Sequence, residues 1–221
     1  MIAVVDYCKG NLRSVERGLI AAGGDAHITD DPREIRNADA IVLPGVGAFA
    51  DASNTMKETG QMEAIKEALS AGVPFLGICL GEHLLFEAGT EGAAETASSV
   101  QDYPEGLGAL PGVVDRIPEY DADGTRYKIP HVGWNSIEFS ADTTCPLLKG
   151  IAPGEYFYFT HSYLAPACED AVATTTHSVT FPCVVQKGGT IFGVQFHPEK
   201  SSDAGARVLK NFVDLVNARQ A

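Results

Sequence analysis

The sequence predicts an α/β fold: an open, mostly parallel central sheet flanked by helices, with additional antiparallel strands. Three observations predict it. From Met1 to Gly89, short apolar runs alternate with amphipathic stretches. Within that span, Val73-Pro-Phe-Leu-Gly-Ile78 stops abruptly at Cys79 and passes straight into a helical pattern. After Gly89 the sequence turns strand-rich, carries a hairpin signal, and closes on one amphipathic helix. A β-α-β-α order implies parallel strands with helices over both faces.

Ile2 to Val5 is apolar throughout, as a strand buried on both faces must be. Asn11 to Ala21 reads as a helix with Leu12, Val15, Leu19 and Ile20 at helical spacing. Ala26 to Thr29 reads as a second strand, and Asp39 to Leu43 as a third that ends in Pro44-Gly-Val-Gly47. One long helix is expected over roughly Ala50 to Ala71, with Met56, Met62, Ile65 and Leu69 inward. The strand before Cys79 follows, and then a helix from Leu80 to Ala88. Thr90 to Gly112 is loop-rich. Val113 to Ile117, Tyr156 to Leu164, Ala171 to Thr176, Cys183 to Gln186 and Ile191 to Phe196 read as strands. Lys187-Gly-Gly-Thr190 makes the last two a hairpin. Ser202 to Arg219 is a closing helix with Ala206, Leu209, Phe212, Val213 and Val216 on one face. With no repeat, low-complexity tract or linker, one domain over residues 1–221 is expected.

An apolar content of 45% over 221 residues is enough for a substantial single core. Sixteen basic against 29 acidic residues give a formal charge of −13, which argues against nucleic acid or anionic lipid as partner. Met1-Ile-Ala-Val-Val meets Asp6 at once and has no basic region before it, so a first strand is expected there and not a signal peptide. No apolar run approaches a membrane span. The five cysteines, at 8, 79, 145, 168 and 183, are odd in number and form no Cys-x-x-Cys pair. Neither a disulfide framework nor a structural metal site is expected, and a reducing cytoplasm is the natural home. Cys8, Cys145, Cys168 and Cys183 read as packing residues.

Cys79 carries the chemistry. Gly77 and Gly81 flank it at i−2 and i+2, the Gly-x-nucleophile-x-Gly elbow with a thiol as nucleophile. Side chains at those two positions would collide across so sharp a turn. The thiol then lies at a helix N-terminus, whose partial positive charge favours thiolate. The second half is His197-Pro-Glu199, at the end of a strand candidate. Residues two apart in extended backbone point the same way, so Glu199 can hold one ring nitrogen of His197 and leave the other free to take a proton from Cys79. A thiol, an imidazole base and an orienting carboxylate form a triad.

At these residues the chain resembles the class I (triad) glutamine amidotransferases, over nearly its full length. Within that family, Asp6-Tyr-Cys-Lys-Gly-Asn-Leu12, Leu43-Pro-Gly-Val-Gly47, Pro130-His-Val-Gly-Trp-Asn135 and Tyr156-Phe-Tyr-Phe-Thr-His-Ser-Tyr163 are similar to blocks of one subfamily. These are the glutaminase subunits of imidazole glycerol phosphate synthase, of histidine biosynthesis. The resemblance implies hydrolysis of L-glutamine to glutamate and ammonia with no cofactor and no metal. It implies catalysis by Cys79, His197 and Glu199, and an oxyanion held by the amides of Leu80 and Gly47. It places Gly45, Val46, His83 and Ser162 against substrate. The ammonia is expected to pass to a (β/α)8-barrel cyclase subunit in a heterodimer, since the sequence leaves no room for a synthase domain. Asn11, His131, Trp134, Asn135, Tyr158 and Lys200 are expected towards that interface.

Gly81-Glu82-His83 stands where the family has Gly-Met-Gln, and Cys8-Lys9 where a glycine and a variable residue are common. His83 is expected to take over the glutamine's grip on substrate. Glu82 would oppose thiolate formation if it pointed inward. Three other readings remain open on the residues alone: an amidotransferase of another pathway, such as pyridoxal phosphate or anthranilate synthesis; a cysteine or ester hydrolase acting alone; and a non-catalytic binding module. His161 is a rival base that reads better as structural.

Overall fold

The computed structural model describes residues 1–8, 10–97 and 99–220, so Lys9 of the opening block lies outside the described residues. The chain begins β1 (Ile2–Val5), α1 (Leu12–Ala21), β2 (Ala26–Thr29), α2 (Pro32–Arg36), β3 (Ala40–Gly45), α3 (Phe49–Glu58) and α4 (Gln61–Ser70). It continues with β4 (Phe75–Cys79), α5 (Leu80–His83), β5 (Phe86–Gly89), β6 (Leu110–Arg116), β7 (His131–Ser136), β8 (Tyr156–His161) and β9 (Tyr163–Leu164). It ends with β10 (Ala171–Thr176), β11 (Thr180–Lys187), β12 (Ile191–Val194) and α6 (Ser202–Gln220).

A seven-stranded sheet in the order β10-β11-β12-β4-β3-β1-β2 forms the frame. The strands from β12 to β2 run parallel, and β10 and β11 join antiparallel at one edge. Alternate residues of each central strand feed two different cores, as a period of two requires. Val4, Val42, Leu76 and Val194 pack with Val15, Leu19, Leu209 and Phe212 of α1 and α6. Ala3, Val5, Ile41, Leu43 and Phe75 pack with Ala52, Met56 and Ile65 of α3 and α4. Burial on both faces explains why β1, β3 and β4 read as unbroken apolar runs. Two smaller sheets stand apart, β5-β6-β9 and the antiparallel ribbon β7-β8.

The fold departs from the sequence reading in several places. The long helix is two, because Gly60 takes φ +78° and turns the chain between α3 and α4. Leu69 is only half-buried. The helix after Cys79 lasts one turn, and Phe86–Gly89 becomes a strand, buried except at Glu87, that pairs with β6. The long strand expected to Leu164 breaks at Ser162 into β8 and β9. Ribbon strand β7 has no alternating pattern to announce it. Helix α2 had a signature: Asp31 accepts from the Arg33 amide at 2.8 Å, with Pro32 at the first helical position. Ile20 is 52% exposed, and Ala206 is exposed because Gly205 takes the packed position. A Cβ on Gly205 would fall 1.9 Å from the Pro198 carbonyl oxygen. Cys145 and Cys183 are buried and Cys168 half-buried, but Cys8 is exposed and so does not pack. No helix among the described residues is long and apolar enough to cross a membrane.

Where β4 turns into α5 the backbone passes directly under β3. A Cβ on Gly81 would lie 1.7 Å from the Leu43 carbonyl oxygen, and one on Gly77 would lie 2.3 Å from the Gly81 carbonyl oxygen. Both contacts are backbone, which cannot swing aside. Gly81→Ala is therefore expected to cost about 3 kcal/mol or more of unfolding free energy, measured by urea titration.

Candidate active site

Parallel pairing sets the site. β4 lies between β3 and β12, with Cys79 opposite Gly45 on one side and Ile78 opposite Val194 on the other. The carboxyl ends of three neighbouring strands thus deliver the thiol, the Gly45-Val46-Gly47 loop and the segment carrying His197 to one edge. Cys79 takes φ 55° and ψ −106°, in the positive-φ region that L residues avoid. The turn that holds it there is the one Gly77 and Gly81 make sterically possible. Because α5 is a single turn, its dipole is a weaker source of thiolate stabilisation than a full helix would be.

His197 and Glu199 follow β12, at the start of a short 3-10 turn, Pro198–Lys200. His197 Nδ1 meets Glu199 Oε1 at 2.9 Å, with both side chains almost wholly buried. Nε2 has no hydrogen-bond partner among the described residues. Burial pulls the imidazole pKa down, but Cys79 and Glu199 together outweigh it and raise it to about 9. Ser201 holds the segment in place, donating to the His197 carbonyl at 2.7 Å and accepting from the Tyr158 amide at 3.0 Å.

A cavity of about 430 Å³ opens beside the thiol, within the range of small-molecule sites. Val46, Gly47, Ala48, Cys79, Leu80 and His83 line one wall, and Thr160, His161, Ser162 and Glu91 are among those lining the other. Gly47 has φ +113°, open to glycine alone, so its peptide can take orientations denied to other residues. Gly45 does not line the cavity. It is packed beneath Tyr7, whose hydroxyl would lie 1.9 Å from a Cβ there. His161 is tied at both nitrogens, Nδ1 to the Tyr163 carbonyl at 2.7 Å and Nε2 to His131 at 3.0 Å, and burial holds its pKa well below the usual imidazole value.

His83 lines the cavity but is engaged within the protein: its Nε2 meets Gln195 Oε1 at 2.6 Å. Burial pulls its pKa down to about 4, against the raising effect of the Gln195 bond. Gln195 Nε2 in turn donates to Cys79 Sγ at 3.7 Å. Glu82 turns into the core and packs against β12, where a Cβ on Gly193 would fall 2.7 Å from its Cγ. Both of its carboxyl oxygens lack a hydrogen-bond partner among the described residues.

Of the residues expected at a partner interface, Trp134 is exposed, with its ring edge-on to Tyr158 at 6.2 Å, and Lys200 Nζ lies 5.8 Å from the Tyr158 ring. Val132 and Tyr156 extend the same exposed face of the ribbon. His131 is instead buried, stacked on His177, and Asn135 donates to the Thr176 carbonyl at 2.8 Å, so both brace the ribbon from within. Asn11 precedes α1, without capping it through its side chain. Sequence reasoning passed over Glu91 and Gln195. Gln195 had a signal, since it stands two residues before His197 on the same face of extended chain.

An open α/β sheet with a thiol at its central elbow and an imidazole–carboxylate pair beside it is the build of an enzyme that works through acyl transfer. The chain belongs to the class-I glutamine amidotransferase family, whose model matches residues 3–216. It is 45% identical over 218 residues to the imidazole glycerol phosphate synthase subunit HisH of Caldanaerobacter subterraneus subsp. tengcongensis, covering 98% of each chain. It is 43% identical over 224 residues to the same subunit of Salinibacter ruber, covering 100% of this chain and 97% of the other. A crystal structure of a glutamine amidotransferase shares the fold with a TM-score of 0.70 at 18% identity, covering 98% of this chain and 100% of that one.

Burial raises the Glu82 carboxyl well above the usual carboxylate range and so holds it neutral. The folded chain then keeps a proton that the unfolded chain releases, so stability falls as pH rises past the unfolded carboxylate range. Glu82→Met is expected to raise the unfolding free energy by about 1–3 kcal/mol at neutral pH. It should also flatten that decline, as urea titrations at several pH values would reveal. A decline as steep as in wild type would mean that another group carries it.

Proposed function

We propose that this chain is the glutaminase of an imidazole glycerol phosphate synthase. It hydrolyses L-glutamine and passes ammonia to a (β/α)8-barrel cyclase subunit in histidine biosynthesis. The observation that carries the chemical half of this reading is the convergence of Cys79, the buried His197–Glu199 pair and a glycine-rich loop at one sheet edge, where Cys79 and that loop line a cavity. What carries the pathway is the near-full-length likeness to the two HisH subunits. The alternatives of a lone hydrolase and of another pathway's glutaminase have no observation in their favour. We take the chain as one amidotransferase domain working in the cytoplasm.

In this mechanism the proton of the Cys79–His197 pair rests on His197 Nε2, and the Cys79 thiolate attacks the side-chain amide carbon of glutamine. The oxyanion that develops is met by the Leu80 amide and by the Gly47 amide of the glycine-rich loop. The imidazolium, held upright by Glu199, protonates the departing nitrogen, and the carbon–nitrogen bond breaks to release ammonia and leave a glutamyl thioester. His197 then takes a proton from water, whose hydroxide attacks the thioester, and returns it to sulfur as glutamate leaves. Glu91 is the carboxylate lining the cavity and the natural seat for the substrate's α-ammonium. It already accepts from the Phe49 amide at 2.8 Å, so it is fixed before substrate arrives. Ammonia must be handed over inside protein, because in neutral water it becomes non-nucleophilic ammonium. The exposed face of Val132, Trp134 and Tyr156 is where the cyclase would seat.

Cys79→Ser is expected to abolish glutaminase activity assayed with the cyclase and its nucleotide ligand, while the circular dichroism spectrum is retained. Activity above a few per cent would remove Cys79 from the nucleophile's place. Glu199→Gln should lose less than His197→Ala, because Glu199 orients and does not react. The His197 pKa is raised above its unfolded value, so the imidazolium and the stability it brings are fully present below that unfolded value. Both are lost as pH rises through about 9, where the glutaminase rate should fall. A flat rate through that region would separate His197 from the acid role.

A further inference from the structure

Cys79 Sγ has two polar neighbours that favour opposite protonation states. As a thiol it donates to the Thr160 carbonyl at 3.9 Å, a dipole that would repel a thiolate. As a thiolate it accepts from Gln195 Nε2 at 3.7 Å. Gln195 is fully buried, so its carboxamide is cut off from bulk solvent. Turned the other way, it would present its oxygen to sulfur and reinforce Thr160. Among the described residues, the contact from His83 Nε2 to Gln195 Oε1, at 2.6 Å, is what holds the oxygen away.

We propose that His83 is a positioning residue for the nucleophile. Its Nε2–H donates to Gln195 Oε1, which commits the Gln195 carboxamide to donate its N–H to the Cys79 thiolate. This rests on the reading of Cys79 as nucleophile, and it assigns His83 a task different from gripping substrate. The relay requires a neutral imidazole protonated at Nε2. A cationic ring would also donate but would cost far more to bury, and burial does keep His83 neutral down to about pH 4. The amide's orientation is thus constant over the working range, and His83 does not itself titrate there. The titratable groups around Cys79 and its cavity are His197 from the turn after β12, Tyr7 after β1, His161 on β8, Tyr163 on β9, Glu91 after β5 and His83 on α5. The relay adds to the pull of His197 on the proton, and it matters because the one-turn α5 offers little dipole.

The test is the pH dependence of Cys79 alkylation by iodoacetamide, an uncharged probe. It is followed on the Cys79 peptide by mass spectrometry because Cys8 is exposed and would react as well. Gln195→Met removes the donor at similar volume and should move the midpoint up by about one pH unit. His83→Leu should move it the same way by less, and His83→Gln, which restores an N–H donor, should return it towards wild type. Glutaminase kcat should fall about tenfold in Gln195→Met with little change in KM. Midpoints that stay at the wild-type value, or that fall, would overturn the proposal. So would a rise in KM for His83→Leu with an unmoved midpoint, since that is the signature of substrate grip. Two substitutions on different elements read one quantity, so either alone decides the matter if the other does not fold. Cys79→Ser keeps the readings apart. An active Cys79→Ser would sink the nucleophile assignment, whereas an inactive one with unmoved midpoints would sink only the relay.

Discussion

The structure depends on one steric constraint, the passage of the Gly81 backbone against the Leu43 carbonyl. It fixes how closely β4 lies against β3 at their carboxyl ends. That closeness brings the Gly45-Val46-Gly47 loop within reach of whatever carbonyl the thiol attacks. The same tight turn forces Cys79 into positive φ and lifts its sulfur clear of the sheet. No side chain can replace this arrangement, because both contacting groups are main chain. The parallel register with β12 then adds His197 and Glu199 from the other side. Loop, thiol and base come from segments far apart in sequence, yet their relative placement needs nothing beyond three adjacent strands.

Electrostatics around the sulfur follow from burial. Four polar groups close to it, Tyr7, His83, His161 and Gln195, are almost sealed from water. In such surroundings a dipole's direction counts for more than its presence, since no solvent compensates a wrong one. Burial lowers the pKa of His83 and His161, whereas at His197, equally shielded, Cys79 and Glu199 outweigh burial and raise it. One residue type thus serves two opposite ends around one thiol. Glu82 shows the cost of the same dryness where no partner is supplied.

Much of this was legible in the sequence. The central strands announce themselves because burial on both faces demands unbroken apolar runs. The elbow and His-Pro-Glu are legible because steric and hydrogen-bonding needs fix residue type at fixed spacing. The long helix was misjudged at Gly60, where periodicity runs on across a glycine that reverses the backbone. The helix after Cys79 was overextended because Leu84, Leu85 and Phe86 suit a helix as well as they suit a turn and a strand. Ribbon strand β7 was hidden, since His-Val-Gly-Trp-Asn-Ser buries its histidine and exposes its tryptophan. His83 was read as facing substrate, and it does line the cavity, but its pairing with Gln195 was not legible. Its Gln195 contact spans 112 residues of chain, and no local pattern records such a pairing.

The β7-β8 ribbon has a consequence for motion. A two-stranded ribbon is marginal by itself and owes its order to what it leans on. Its outer face, with Val132, Trp134 and Tyr156, leans on solvent in this chain. Yet its inner strand carries Thr160, whose carbonyl touches the nucleophile, and His161 beside it. Fraying of this ribbon is therefore a local opening that would reach the cavity, and amide exchange in β7 and β8 would report it. Anything seated on the outer face would slow that exchange and stiffen the cavity wall from behind, without touching the substrate.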